Sequence, residues 1–269
     1  MAVLAAGPAS CGFRSGESNA AAPMKLVWSD EFNGWKGTQP NPKYWNYETG
    51  GKGFGNNELQ CYTTVPGNIS TDGIGRLIIT ARYQPGHRCV DGATNDYTSA
   101  RITTQKKFTA KYGRLEVRAK VPSGVGTWPA FWALGNDHDT AGWPRSGEID
   151  VMEYVGKSPG TSFGTIHGPT KTGAHVYTGP RTTQSTPLSA TFHTWAATWT
   201  PTQISWSVDG KTYGTVTKAQ WTKNFGIWAF DKPFYLLLNL AIGGNMGGPV
   251  SGNPAATQRY LIDYVRVYR

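Results

Sequence analysis

Arg114-Leu115-Glu116-Val117-Arg118-Ala119-Lys120-Val121 alternates polar and apolar residues at every step. Successive side chains of a β-strand point to opposite faces, so this run predicts a strand with one solvated and one buried face. The neighbouring sequence has the same character. Residues 25–32, 76–83, 97–104, 113–121, 148–155, 194–199, 203–208, 234–242 and 261–268 are rich in Val, Ile, Tyr, Trp and Thr, and Gly, Pro, Asn and Asp clusters separate them. That is the pattern of strands and turns. Asp209-Gly210, between two such runs, predicts a tight hairpin. Residues 219–225 alone read as helix, for a turn or two. Many strands without helical crossovers predict an all-β, antiparallel sandwich or barrel.

Composition narrows the function classes. Of 269 residues, 34 are Gly; 13% are aromatic and only 16% are charged. Disordered chains are poor in aromatics and rich in charge, and helical bundles avoid Gly, so both are excluded. No apolar run approaches the ~20 residues of a membrane-spanning helix. The net charge of +9 invites a nucleic-acid reading, but the basic residues are scattered, with Lys106-Lys107 the tightest doublet and no basic stripe. We therefore expect neither nucleic acid nor membrane as a partner. Residues 24–269 are expected to form one domain. Residues 1–23, of low complexity, read as a flexible segment or signal remnant, and secretion is the expectation. Of the three cysteines, Cys61 and Cys89 lie in the folded part, 28 positions apart, and none has metal or redox spacing. They form one disulfide, as in an oxidising compartment, or stay as two buried thiols.

The chemistry-bearing stretch is Trp143-Pro144-Arg145-Ser146-Gly147-Glu148-Ile149-Asp150-Val151-Met152-Glu153-Tyr154. On a regular strand Glu148 and Asp150 share a face and Glu153 points the other way. A β-bulge at Val151-Met152 would turn Glu153 back to join them. Three carboxylates on one face shift one another's pKa values, as acid/base chemistry needs, and a retaining glycosidase uses such a pair about 5–5.5 Å apart. The plain alternative is a solvated strand face or a cation site. The aromatic residues around the motif, Trp128, Phe131, Trp132, Trp143, Tyr154 and His167, suit stacking on sugar rings or simply pack a core.

The segment from Gly147 to Glu153 resembles the active-site signature of glycoside hydrolase family 16, in the bulged form of its β-1,3-glucanases. Other matching segments are Trp28-Ser29-Asp30-Glu31-Phe32, Asn56-Asn57-Glu58-Leu59-Gln60, Ser99-Ala100-Arg101-Ile102, Trp128-Pro129-Ala130-Phe131-Trp132, Leu238-Asn239-Leu240-Ala241-Ile242-Gly243-Gly244 and Ile262-Asp263-Tyr264-Val265-Arg266-Val267-Tyr268. The resemblance implies a β-jelly-roll of two curved antiparallel sheets with an open concave groove for a β-glucan. It implies Glu148 as nucleophile, Glu153 as acid/base and Asp150 as the residue that tunes the nucleophile. Trp143 and His167 would flank the reacting sugar. Asn57, Arg101 and Asn239 would bind hydroxyls, and Trp128 and Trp132 would stack. No catalytic cofactor is implied. A structural Ca²⁺ on the convex side would draw on Glu31 and Asp263. The implied activity is a secreted, monomeric, endo-acting retaining β-1,3-glucanase. Alternatives are mixed-linkage glucan or galactan hydrolysis, transglycosylation, and glucan binding without catalysis. Two departures stand out: Cys61 replaces a usual Tyr, which fits a disulfide to Cys89, and Met246 stands where relatives often carry Trp.

Overall fold

The computed structural model describes residues 24–251 and 256–269, so the segment 1–23 with Cys11 lies outside the described residues. The alternating run forms the strand Gly113–Lys120, and Leu115, Val117 and Ala119 are fully buried. It lies in the middle of a ten-stranded sheet. From one edge this sheet runs Lys211–Thr217, Gln203–Val208, His193–Trp199, Gly113–Lys120, Gln258–Tyr268, Leu77–Arg88, Thr94–Ser99 and Gln60–Tyr62, with two flanking strands. An eight-stranded sheet packs against it. Its order is His175–Thr178, Thr161–Pro169, Glu148–Tyr154, Thr127–Gly135, Phe234–Ile242, Arg101–Thr103 and Asn46–Glu48, with Arg181–Thr183 also pairing to Thr161–Pro169. The architecture is a β-jelly-roll.

Between the sheets lies a core rich in large side chains, among them Trp195, Trp199, Trp206, Phe131 and Phe234. The strand Phe234–Ile242 shows how one sheet serves two faces. Leu236, Leu238 and Leu240 enter this core, while Tyr235 and Leu237 pack with Leu134 and Trp132 on the opposite side. Period-two alternation was hidden here because both faces are buried.

Three expectations are corrected. The run 97–104 is two strands, Thr94–Ser99 and Arg101–Thr103, because the chain passes from one sheet to the other at buried Ala100. The sheets are not wholly antiparallel: Gln60–Tyr62 pairs parallel with Thr94–Ser99. The acidic pair proposed for Ca²⁺ does not fit that ion. Both oxygens of Glu31 accept bonds from Arg266, each at 2.9 Å, and Asp263 is paired with Arg118. Guanidinium groups already match both charges, and Arg266 holds the Glu31 carboxyl below its usual range.

Other expectations agree. Val208 pairs with Lys211 across the Asp209-Gly210 turn, where both residues have positive φ. The expected helix is Lys218–Asn224, capped by Thr217 and Gln220 in a reciprocal capping box. Cys61 and Cys89 form a disulfide, with Cα atoms 5.5 Å apart.

Candidate active site

The strand Glu148–Tyr154 carries the expected bulge. Asp150 pairs with Trp132 but Met152 pairs with Phe131, leaving Val151 as the extra residue. On its other side, Asp150 and Glu153 pair with Thr165 and Phe163, so two residues oppose Gly164 alone. Ile149, Val151, Met152 and Tyr154 all enter the core. Glu148, Asp150 and Glu153 consequently emerge on the outer face of the eight-stranded sheet.

The core also explains how the bulge is held. A bulge takes backbone groups out of the ladder, and buried ones need other partners. Trp206, fully buried on the opposing sheet, donates its Nε1–H to the Asp150 carbonyl at 2.7 Å. Gly164 makes room for this approach: a Cβ there would lie 2.2 Å from Trp206 Cδ1. Trp206→Phe keeps most of the ring but orphans the carbonyl. We expect a loss of about 1–3 kcal/mol, measured by denaturant titration, and activity reduced beyond what that loss explains at 25 °C. A variant as stable as the parent would show that the bulge does not depend on this bond.

The carboxylates sit in a web of aromatic donors. Trp143 Nε1 donates to Glu148 Oε2 at 2.9 Å, and Trp128 Nε1 donates to Glu153 Oε1 at 3.1 Å. Thr165 Oγ1 reaches Glu153 Oε2 at 3.4 Å. His167 Nε2 lies 3.1 Å from Asp150 Oδ2 and 4.0 Å from Glu148 Oε1. Burial is the main cause that raises all three acids. Glu148 is pushed up to about 8 by burial and then by the Asp150 charge. Asp150 and Glu153 are raised for the same reason, the Asp150 carboxyl also by Glu153. Burial, with mutual repulsion added, keeps the three carboxyls from ionising together, so that one carboxylate can stand beside a protonated neighbour, the condition for an acid beside a nucleophile.

This has a thermodynamic consequence. A carboxyl raised in the folded state contributes stability that is complete below its ordinary value near 4.5 and is lost as pH rises through about 8. Glu148→Gln cannot ionise. Its melting temperature should match the parent's near pH 4–5 and exceed it by on the order of 5 °C above pH 8. A difference independent of pH, in thermal melts from pH 4 to 9, would rule out burial of an ionising carboxyl as the cause.

The sugar-binding candidates divide. Trp143 is half-exposed and borders Glu148. Trp132 and Trp128 lie along the face, Trp132 over the Arg101 guanidinium at 4.7 Å. Arg101 is also paired with Glu48 and lies over Phe54, so it supports the floor. Asn239, expected to bind hydroxyls, is buried instead: its Oδ1 accepts from Trp132 Nε1 and its Nδ2 donates to Tyr62. Tyr62 in turn donates to Glu58, which Gln60 also serves. Asn57 is exposed and donates to Asn245 Oδ1 at 2.8 Å, joining its loop to the short helix Gly244–Gly247.

Sequence reading missed several residues of this face. Thr165 reaches it by pairing with Asp150, while Tyr62 and Glu58 join it through the hydrogen bonds that run from Asn239. His175 and Tyr177 stand at its other end, and the alternation in His175–Thr178 was their only signal. Tyr177 pairs with His167, and its ring is stacked beside that imidazole.

Comparison with known proteins agrees with this geometry. The family description "Glycosyl hydrolases family 16" matches residues 59–266. A beta-glucanase of Rhodothermus marinus is 43% identical over 267 residues, covering 95% of this chain and 88% of that protein. A glucan endo-1,3-beta-glucosidase of Cryptopygus antarcticus is 39% identical, covering 90% of each chain. The laminarinase catalytic domain of Thermotoga maritima superposes with a TM-score of 0.81 at 40% identity, covering 91% of this chain and 98% of that one. On sequence, fold and the face that carries Glu148, Asp150 and Glu153, this chain belongs to glycosyl hydrolase family 16.

Proposed function

We propose that this enzyme is a secreted, endo-acting, retaining β-1,3-glucanase. The observation that carries the reading is the bulge that puts Glu153 on one face with Glu148 and Asp150. In its ionised form Glu148 attacks the anomeric carbon while the glycosidic C–O bond breaks. Glu153 gives its proton to the departing oxygen. A glycosyl-enzyme ester on Glu148 remains. Glu153, now a base, takes a proton from water, whose oxygen attacks the same carbon and releases the Glu148 carboxylate. Asp150, raised by burial and set beside Glu148, holds a proton near the nucleophile. Trp143 and Trp128 orient the two glutamates.

The carboxylates lie on a face bordered by exposed Trp143 and Tyr177 at one end and exposed Leu59 at the other, which suits the middle of a long polymer. The laminarinase and endo-1,3-glucosidase named above support the β-1,3 linkage. The Cys61–Cys89 disulfide supports an oxidising, extracellular setting.

Laminarin and barley mixed-linkage glucan, tested side by side, check the reading. We expect short oligosaccharides early from laminarin, and the β-anomer as first product by NMR. Preference for the barley polymer would assign mixed-linkage specificity. An α-anomer first would overturn retention. Absence of new reducing ends from both polymers would overturn the glucanase reading.

A further inference from the structure

We propose that His175 is a positioning residue: its imidazole fixes the proton arrangement of His167 and props the Trp143 indole, and so holds the Glu148–Asp150 pair in working geometry. The inference rests on the catalytic reading of Glu148. His175 touches neither carboxylate, but it touches both side chains that flank them.

His175 Nε2 lies 2.9 Å from His167 Nδ1, and the two ring planes are within 8° of parallel. An imidazole pair at that distance holds one proton between the nitrogens. The other nitrogen of His167 faces Asp150 Oδ2 at 3.1 Å, and among the described residues nothing hydrogen-bonds that buried oxygen, so this imidazole nitrogen is the group placed to serve it. A neutral His167 that donates from Nε2 has its lone pair on Nδ1, so His175 must donate to it. If His167 instead carries both protons, His175 must accept. In either state the bond on one nitrogen determines what the other presents to the acid. The second link is packing. The His175 ring lies 4.3 Å from the Trp143 ring, whose Nε1–H holds Glu148 Oε2.

The groups that face His175 are few. His167 comes from the adjacent strand, Tyr177 from its own, and Trp143 from the loop before Glu148. Arg145, on that loop, lies against Gly173. Partial burial, then His167, hold His175 below the usual histidine range.

Two variants separate the roles of the ring and its nitrogens. His175→Phe keeps a flat ring against Trp143 without the bond, while His175→Gln keeps a polar group without the ring. The position is exposed on an edge strand, so folding should survive in both variants, as a thermal melt would show. For His175→Phe we expect kcat on laminarin to fall about tenfold, KM to change less than about twofold, and the pH profile of kcat/KM to shift. His175→Gln should recover part of the loss. The chain has five histidines, so ¹⁵N-histidine NMR can follow His167 directly. Its Nδ1 and Nε2 shifts should change in His175→Phe without any substrate present. Unchanged shifts together with unchanged kcat and pH profile overturn the proposal, as does an equal loss in both variants with unchanged shifts. If laminarin and barley glucan both fail as substrates for the parent, the catalytic reading fails, and the NMR result still decides the histidine relay.

Discussion

Glu148→Gln is expected to fold like the parent and to lose hydrolysis of laminarin by about 10⁴-fold or more. The amide is isosteric and keeps an oxygen to accept from Trp143 Nε1. It cannot form the glycosyl ester, so the covalent route closes whatever the remaining groups supply. Glu148→Ala extends the test. With an activated aryl β-glucoside, azide should enter from the vacated side, displace the aryloxide and leave an α-glycosyl azide. A Glu148→Gln enzyme with parental activity, free of parental contamination, would remove Glu148 from the reaction.

The second large effect is expected at Glu153. Glu153→Ala should reduce laminarin hydrolysis by about 10³-fold, because the departing sugar oxygen loses its proton donor. An aryl glycoside with an acidic phenol needs little protonation, so its first step should survive. The second step lacks its base, so the glycosyl-enzyme should accumulate as one added sugar mass on Glu148. Azide should resolve that intermediate to a β-glycosyl azide, the opposite anomer from the Glu148 variant. Exchange of the two anomers between the variants would reverse the roles of the two glutamates.

Both predictions depend on one inserted residue. Without the bulge, Glu153 would face the core beside Ile149, and a buried unpaired carboxylate would be costly. The fold stabilises the insertion from three directions. Val151 and Met152 fill the core, Trp206 satisfies the Asp150 carbonyl, and Gly164 admits the indole. The common face of the three acids is in this sense a property of both sheets, although the acids occupy one strand.

Much of this was legible in the chain alone. Local alternation identified Gly113–Lys120, because one solvated face leaves a period of two in the sequence. The spacing of Glu148, Asp150 and Glu153 required a bulge for a common face, and Val151-Met152 marked its place. Two kinds of information lay elsewhere. The strand Thr127–Gly135 begins Thr-Trp-Pro, a poor central-strand signal, yet Pro129 lies just past the last pair with Glu148–Tyr154 and needs no donor on that side. The second kind is pairing between distant segments. Asn239 is a free amide in the sequence; Tyr62, 177 positions away, and Trp132, 107 away, consume it. Glu31 and Asp263 are acids in the sequence; Arg266 and Arg118 neutralise them across strands. Sequence patterning determined which face each residue takes, because that follows from backbone periodicity. Tertiary structure alone decided which polar groups remain free to act, because a hydrogen bond or ion pair is settled by whichever partner the sheet register brings within about 3 Å.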